Sequence, residues 1–188
     1  MHHNNNSRLN ELIRKRRSIR AFSDEEITAE DLTTILEAAT WAPSSMNEQP
    51  WRYLYARKGT AGYARLWNCL ADANKTWTAN AAALIVCVAR KNFSRNGKPN
   101  RHYMHDCGLA NENLFVQAIS MNIYTHAMGG FDMERTKNEL QVPADEEVVC
   151  FIALGYAGDP SQLEEPNRSR ESAPRTRKSV EEVSTEIA

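Results

Sequence analysis

Five of the seven residues from Arg14 to Arg20 are basic: Arg14, Lys15, Arg16, Arg17 and Arg20, with Ser18 among them. A second basic group lies near the other end, Arg168, Arg170, Arg175, Arg177 and Lys178. Arginine forks match phosphate oxygens two at a time. In an extended segment alternate side chains share a face. That puts Arg16, Ser18 and Arg20 on one side and pairs Arg175 with Arg177, while Arg14, Lys15 and Arg17 face water. The two groups either meet one phosphomonoester or remain two solvated patches, the commoner fate of such charge. Between them lies Ala42-Pro43-Ser44-Ser45-Met46-Asn47-Glu48-Gln49-Pro50-Trp51, rich in hydroxyls and amides.

Other groups read more plainly. His102, His105, Asp106 and Cys107 could ligate a metal, but no second ligand cluster accompanies them, so none is expected. Trp41, Trp51 and Trp67 suit core anchoring better than ring stacking. Gly155-Tyr156-Ala157-Gly158 lacks the spacing of a dinucleotide fingerprint.

Several elements must hold these residues. Ser7 is placed to cap a first helix that delivers the basic group at its C-terminal end, where the helix dipole favours cations. Thr28, with Asp31 three residues on, caps a second helix that stops before Pro43. Residues 51–57 alternate as a strand, and a helix follows to about Leu70. Residues 82–89 form an apolar run fit for a strand buried on both faces. Lys91 to Arg101 reads as a loop or lid. His105 to Met121 is apolar nearly all round, so it belongs in a domain centre or subunit interface. A strand at 123–128 ends at Gly129-Gly130. A short helix to Leu140 and a buried strand at 148–154 follow. The pattern gives an α+β class in a single domain over residues 1–188. Residues 1–7 form a polar tail and residues 160–188 an extended C-terminal arm.

The 188 residues carry a formal charge of −1, with 41% hydrophobic and 25% charged residues. That composition is ordinary for a globular chain and argues against nucleic acid as partner, which would call for a broad basic excess. The longest apolar run is too short to span a bilayer. The polar start lacks the apolar run of a secretory leader. Four cysteines without a C-x-x-C pair fit a reducing, cytoplasmic setting better than a disulfide framework.

Arg16-Arg17-Ser18-Ile19-Arg20, the Pro43–Trp51 segment, Gly129-Gly130-Phe131-Asp132, Leu154-Gly155-Tyr156 and Arg175-Thr176-Arg177 together resemble the FMN-dependent nitroreductase family, in that family's order and over about residues 8–182. The resemblance implies a three-layer α/β/α sandwich with a central, mainly antiparallel sheet. It also implies a homodimer with FMN at the interface and the C-terminal segment exchanged between subunits. Residues 179–187 are available for that exchange.

The resemblance further implies that Arg16 and Ser18, with Arg17 beside them, hold the FMN phosphate and ribityl chain, and that Arg175 and Arg177 clamp the same phosphate. Arg20 would face flavin N1 and O2, where a fixed cation meets developing negative charge. Pro43, Ser44, Ser45 and Asn47 would reach the flavin from the partner subunit. Asn74 would meet the pyrimidine edge, and the Gly129-Gly130 turn would approach N5. The implied reaction is ping-pong: NADH or NADPH delivers hydride to FMN, and a nitroaromatic, quinone or free flavin then takes the electrons. No protein nucleophile is implied, because the cofactor carries the chemistry.

Two departures stand out. Trp77 falls where some members have a lysine near N1 and O2, and Gly129 where many have an acid. They keep open a flavin-binding sensor or storage protein with little turnover. Specialised family reactions, such as dehalogenation or flavin fragmentation, also stay open.

Overall fold

A computed structural model describes residues 8–187. Its centre is a four-stranded antiparallel sheet in the order β1-β2-β4-β3. The strands are β1 (Trp51–Arg57), β2 (Ala83–Arg90), β3 (Tyr124–Met128) and β4 (Glu146–Gly155). The helices are α1 (Glu11–Lys15), α2 (Ala29–Thr40), α3 (Ala61–Cys69), α4 (Asp72–Thr78), α5 (Tyr103–Ser120), α6 (Met133–Leu140), α7 (Asn167–Ser172) and α8 (Val180–Val183).

Strand alternation divides the core. Leu84, Val86 and Val88 of β2 pack with Tyr63, Leu66 and Cys69 of α3 and Trp77 of α4. Ala83 and Ile85 pack on the opposite face with Leu32, Ile35 and Ala39 of α2 and Ala110, Leu114 and Ala118 of α5. Helices therefore cover both faces, giving the expected α/β/α layering of an α+β chain. Seven consecutive residues of β2, from Ala83, are fully buried. Each large one contributes roughly 1.5–3 kcal/mol, an upper estimate.

The second helix starts as read: Thr28 Oγ1 accepts the Asp31 N–H at 3.0 Å. Other expectations shift. Ser7 lies outside the described residues, and α1 begins only at Glu11, where Asn10 caps Leu12. α5 buries one face, while Met104 stays half exposed. α4 was not expected as an element.

The C-terminal arm is not uniformly extended. It contains a 3-10 turn at Pro160–Gln162, then α7 and the four-residue α8. α7 docks because Glu171 is buried against the N-terminal segment. α8 forms because Ser179 and Glu182 make a reciprocal capping box.

Gly155 and Gly158 explain the glycine-containing run after β4. The chain near Phe22 crosses there, with Ser23 N–H bonded to Tyr156 O at 3.0 Å and Gly158 N–H to Ala21 O at 2.8 Å. Among the described residues, no helix is long and apolar enough to cross a membrane.

Candidate functional site

The chain leaves α1 at Arg16 in an extended conformation, φ −53° and ψ 128°. Ile19 is buried and Ser18 exposed. Two arginines from opposite ends of the chain then stitch the termini together. Arg175 donates from Nη1 to Arg16 O at 2.6 Å and from Nη2 to Arg14 O at 2.5 Å. Arg17 donates in the other direction, to the carbonyls of Glu171 and Ala173. Arg177 donates to its neighbour's carbonyl, Thr176 O, at 2.7 Å. Arg16 has Glu112 of α5 at a long 3.8 Å. Partial burial lowers the Arg175 pKa, and the charges of Arg177, Arg17 and Arg16 lower it further. Arg175 thus lies within electrostatic reach of Arg177, Arg17 and Arg16.

Arg20 is held separately. Its N–H donates to Glu171 Oε2 at 2.9 Å, and its guanidinium lies 5.9 Å from the centre of the Trp77 ring. Burial pulls its pKa below the ordinary value, while Glu171 opposes the shift. Trp77 is itself buried, 6.2 Å from Phe22 and 4.5 Å from His126 between ring centres. His126 Nδ1 lies 2.8 Å from Ile19 O. A carbonyl can only accept, so Nδ1 carries the proton. Burial lowers the His126 pKa to about 4; Arg20 adds to the shift and the Ile19 bond opposes it. The imidazole is neutral at pH 7. Ile19 and Arg20 are therefore pinned at three points: carbonyl, amide and guanidinium.

Asn74, one turn before Trp77 on α4, donates from Nδ2 to Gly130 O at 2.8 Å. The same carbonyl accepts Ala71 N–H at 3.1 Å. A Cβ on Gly130 would sit 2.8 Å from Asn74 Nδ2, whereas one on Gly129 would meet nothing within 4 Å. Asn74 and the glycine turn are thus joined, with Gly129 facing open space.

The Pro43–Asn47 segment is organised elsewhere, against α5. Met46, Asn47 and Gln49 have φ of 56°, 55° and 49°. Asparagine tolerates this region, but Met46 and Gln49 each cost about 1–2 kcal/mol there. Ser44 Oγ accepts Gln49 N–H at 2.9 Å, and buried Asp106 Oδ2 accepts Ser45 N–H at 3.0 Å. Glu48 takes Ser94 N–H at 2.8 Å, tying the loop 91–101 to the same segment. The run suspected of ligating metal diverges. His105 faces Asp106 at 3.3 Å, and Cys107 is buried in the core beside Cys87.

The structure thus brings Arg16, Arg17, Arg175 and Arg177 together, joins Asn74 to Gly130, and sets Arg20 over α4. Pro43, Ser44, Ser45 and Asn47 form a separate surface. Sequence reading missed Glu171 and His126, and it weighed Asp106 only as a metal ligand and gave Glu48 no role of its own. Each acts through a contact distant in sequence, which no local pattern announces.

Comparison with known proteins bears on this arrangement. The model of the Nitroreductase family matches residues 13–76 and 69–156. A protein of Archaeoglobus fulgidus provisionally named NADH dehydrogenase/NAD(P)H nitroreductase is 32% identical, over 79% of this chain and 84% of its own. One of Bacillus subtilis, provisionally named an NAD(P)H nitroreductase, is 41% identical over 79% and 88%. A crystallised oxidoreductase described as containing FMN superposes with a TM-score of 0.90. It is 32% identical and covers 95% of this chain and 91% of its own. With its motifs, its layered sheet and these likenesses in accord, the chain belongs to the nitroreductase family.

Proposed function

We propose that this chain is an FMN-dependent oxidoreductase that uses NADH or NADPH to reduce nitroaromatics, quinones or related acceptors. The observation that carries the reading is the guanidinium cluster. Arg16, Arg17, Arg175 and Arg177 crowd together from both ends of the chain, and the ionic partner of Arg16 is only a distant glutamate. Such a donor set fits a phosphate dianion in charge and geometry.

Arg16, Ser18, Arg175 and Arg177 hold the phosphate and ribityl chain in this reading. Arg17 contributes field rather than a direct bond, since its donors serve Glu171 O and Ala173 O. Arg20 supplies the cation beside N1 and O2. Asn74 and the turn Gly129-Gly130 line the ring edge; Gly130 lacks a side chain because Asn74 fills that space. Pro43, Ser44, Ser45 and Asn47 serve the cofactor of a second copy, which makes the enzyme a homodimer. The exposed Trp41 and Met46 support this, as does the groove of about 430 Å³ between α2 and α5 lined by Trp41, Ala38 and Val116. When bound, FMN supplies the hydride-accepting and electron-donating centre, which nucleotide and acceptor use in turn, as a ping-pong scheme requires. One domain spans the chain, and its free cysteines suit the cytoplasm.

A second reading, a flavin-binding sensor or store with little turnover, draws on Trp77. Its ring is buried beneath Arg20, so Arg20 alone supplies charge where some members add a lysine.

The test is the spectrum of the purified protein, then NAD(P)H oxidation with a quinone or nitroaromatic. Oxidised-flavin bands and turnover are expected. A colourless protein after incubation with FMN defeats the proposal, and a yellow protein that no nicotinamide reduces moves it to the second reading. Arg16→Ala and Arg20→Ala each remove a charged contact worth about 1.5–3 kcal/mol. Each is expected to weaken FMN roughly ten- to a hundredfold, and Arg17→Ala distinctly less.

A further inference from the structure

The Ser44–Gln49 segment is not held by its own contacts alone, although Ser44 Oγ accepts the Gln49 N–H at 2.9 Å. Two residues with no preference for the left-handed region, Met46 and Gln49, adopt it beside Asn47. No glycine relieves them, and Met46 and Asn47 are exposed, so apolar burial does not fix them either. A second hold lies across a gap of 61 residues in sequence. Asp106, in the first turn of α5 and 2% exposed, accepts the Ser45 N–H at 3.0 Å. Ser45 opens the turn that contains Met46 and Asn47. A buried carboxylate is costly unless its lone pairs are used. This one is used on a backbone amide at the root of the strained turn, with His105 Nδ1 at 3.3 Å on its other oxygen.

A return contact runs the other way. Glu48, inside the segment, accepts Ser94 N–H at 2.8 Å and faces Ser94 Oγ at 3.3 Å. The loop carrying Ser94 leads directly into α5 and Asp106. Two carboxylates, one from each side, therefore lock the segment and the loop into a single piece.

We propose that Asp106 is a positioning residue for the cofactor. Through Ser45 N–H it keeps residues 44–49 in the turn, left-handed at Met46, Asn47 and Gln49, in which they meet FMN, and Glu48 couples the loop 91–101 to that conformation. The inference rests on the flavin reading above. Asp106 itself touches neither cofactor nor substrate. Its effect is to pre-organise a segment that otherwise relaxes, so its loss appears as weaker FMN binding.

The test compares FMN dissociation constants, from flavin fluorescence, for wild type, Asp106→Ala, Asp106→Asn, Ser45→Pro and the double variant Asp106→Ala/Ser45→Pro. Proline at 45 deletes the N–H that Asp106 accepts without touching α5, and its loss is read against Ser45→Ala, which removes only the hydroxyl assigned to the cofactor. The site suits it, since Ser44 is extended (φ −146°, ψ 158°) and Ser45 begins the turn. Asparagine at 106 keeps an acceptor oxygen in place. We expect Asp106→Ala and Ser45→Pro each to weaken FMN at least tenfold, and Asp106→Asn to stay within about threefold of wild type. The double variant should be no worse than either single one, because both remove the same bond. Additive losses, or FMN binding by Asp106→Ala equal to wild type, overturn the positioning role and leave the flavin reading intact. An Asp106→Asn variant as weak as alanine also overturns it. If wild type itself binds no FMN, the flavin reading falls and this inference with it. Should Asp106→Ala fail to fold, Ser45→Pro against Asp106→Asn gives the same decision.

Discussion

His126 offers a prediction with a defined sign and size. Its Nδ1–H is committed to Ile19 O at 2.8 Å, its ring lies against Trp77, and burial holds its pKa near 4 against an ordinary 6.5. The folded state therefore resists protonation that the unfolded chain accepts. Between those two values the unfolded state binds more protons, so stability rises with pH across the window. The contribution is fully present above pH 6.5. It declines as pH falls and is lost below about 4. At about 1.36 kcal/mol per unit, a gap of 2.5 units limits the loss to roughly 3 kcal/mol, of which about 2.5 kcal/mol is gone by pH 4.5.

Other groups titrate in the same range, so the wild-type curve alone does not isolate His126. The measurement is urea unfolding at pH 4.5 to 7.5 for wild type and His126→Gln, at equal protein and FMN concentrations. Glutamine retains an N–H donor but does not titrate. The difference between the two stability curves is expected to change by about 2–3 kcal/mol across the range, with wild type losing more towards acid. Parallel curves would refute the reasoning, as would a His126 ring resonance titrating near 6.5. Either result would mean that the imidazole is open to water and that the Ile19–Arg20 segment lacks its lower support.

Three glycines give sharper steric tests. Gly130→Ala places a Cβ 2.8 Å from Asn74 Nδ2, while Gly129→Ala meets nothing within 4 Å. The first is expected to displace Asn74 and weaken FMN several-fold, and the second to leave folding unchanged; FMN titration and melting curves check both. At Gly158 a Cβ would lie 2.6 Å from the backbone C and O of Phe22, which has no flexible end to move aside. Gly158→Ala is expected to cost at least about 1–3 kcal/mol, read as a lower midpoint in urea, and equal midpoints would contradict the crossing described at Phe22.

The parts of the fold legible in sequence were those built on apolar rhythm or a side-chain cap. β1 was read from alternation and β2 from an unbroken apolar run, because burial on one or both faces writes itself into residue type. α2 was marked by Thr28 and Asp31. α4 carries no such mark: Ala71 offers no side-chain cap, and only Trp77 and Thr78 are buried. α7 was hidden because the one residue it buries is a glutamate, whose value lies in amide contacts at Arg20 and not in hydrophobicity. At the candidate site the arginines were visible by type and the glycine turn by motif. Which carbonyls, carboxylates and rings would hold them was not, since Arg175 finds Arg16 across 159 residues and His126 finds Ile19 across 107. The left-handed backbone of Met46 and Gln49 even runs against their own preferences.

The basic cluster was open to two fates, water or an anion, and the kind of partner its arginines found bears on the choice. An arginine fixed by aspartate or glutamate becomes rigid but loses most of its field. Arg175 and Arg17 are instead fixed by main-chain carbonyls, which supply hydrogen bonds and carry no net charge. Position is gained while the positive field is kept. The Glu171 carboxylate turns to the amide of Arg20, and Glu112 reaches Arg16 only at 3.8 Å. A solvated patch has no reason to hold like charges together in this way, because repulsion spreads long side chains into water. Guanidiniums held by carbonyls and only weakly paired with carboxylate are what preorganised binding of a phosphate dianion requires. In the proposed reading Arg17 would serve the cofactor chiefly through where it holds charge, Arg175 through its charge and remaining N–H groups, and Arg16 and Arg177 through the donors they leave available.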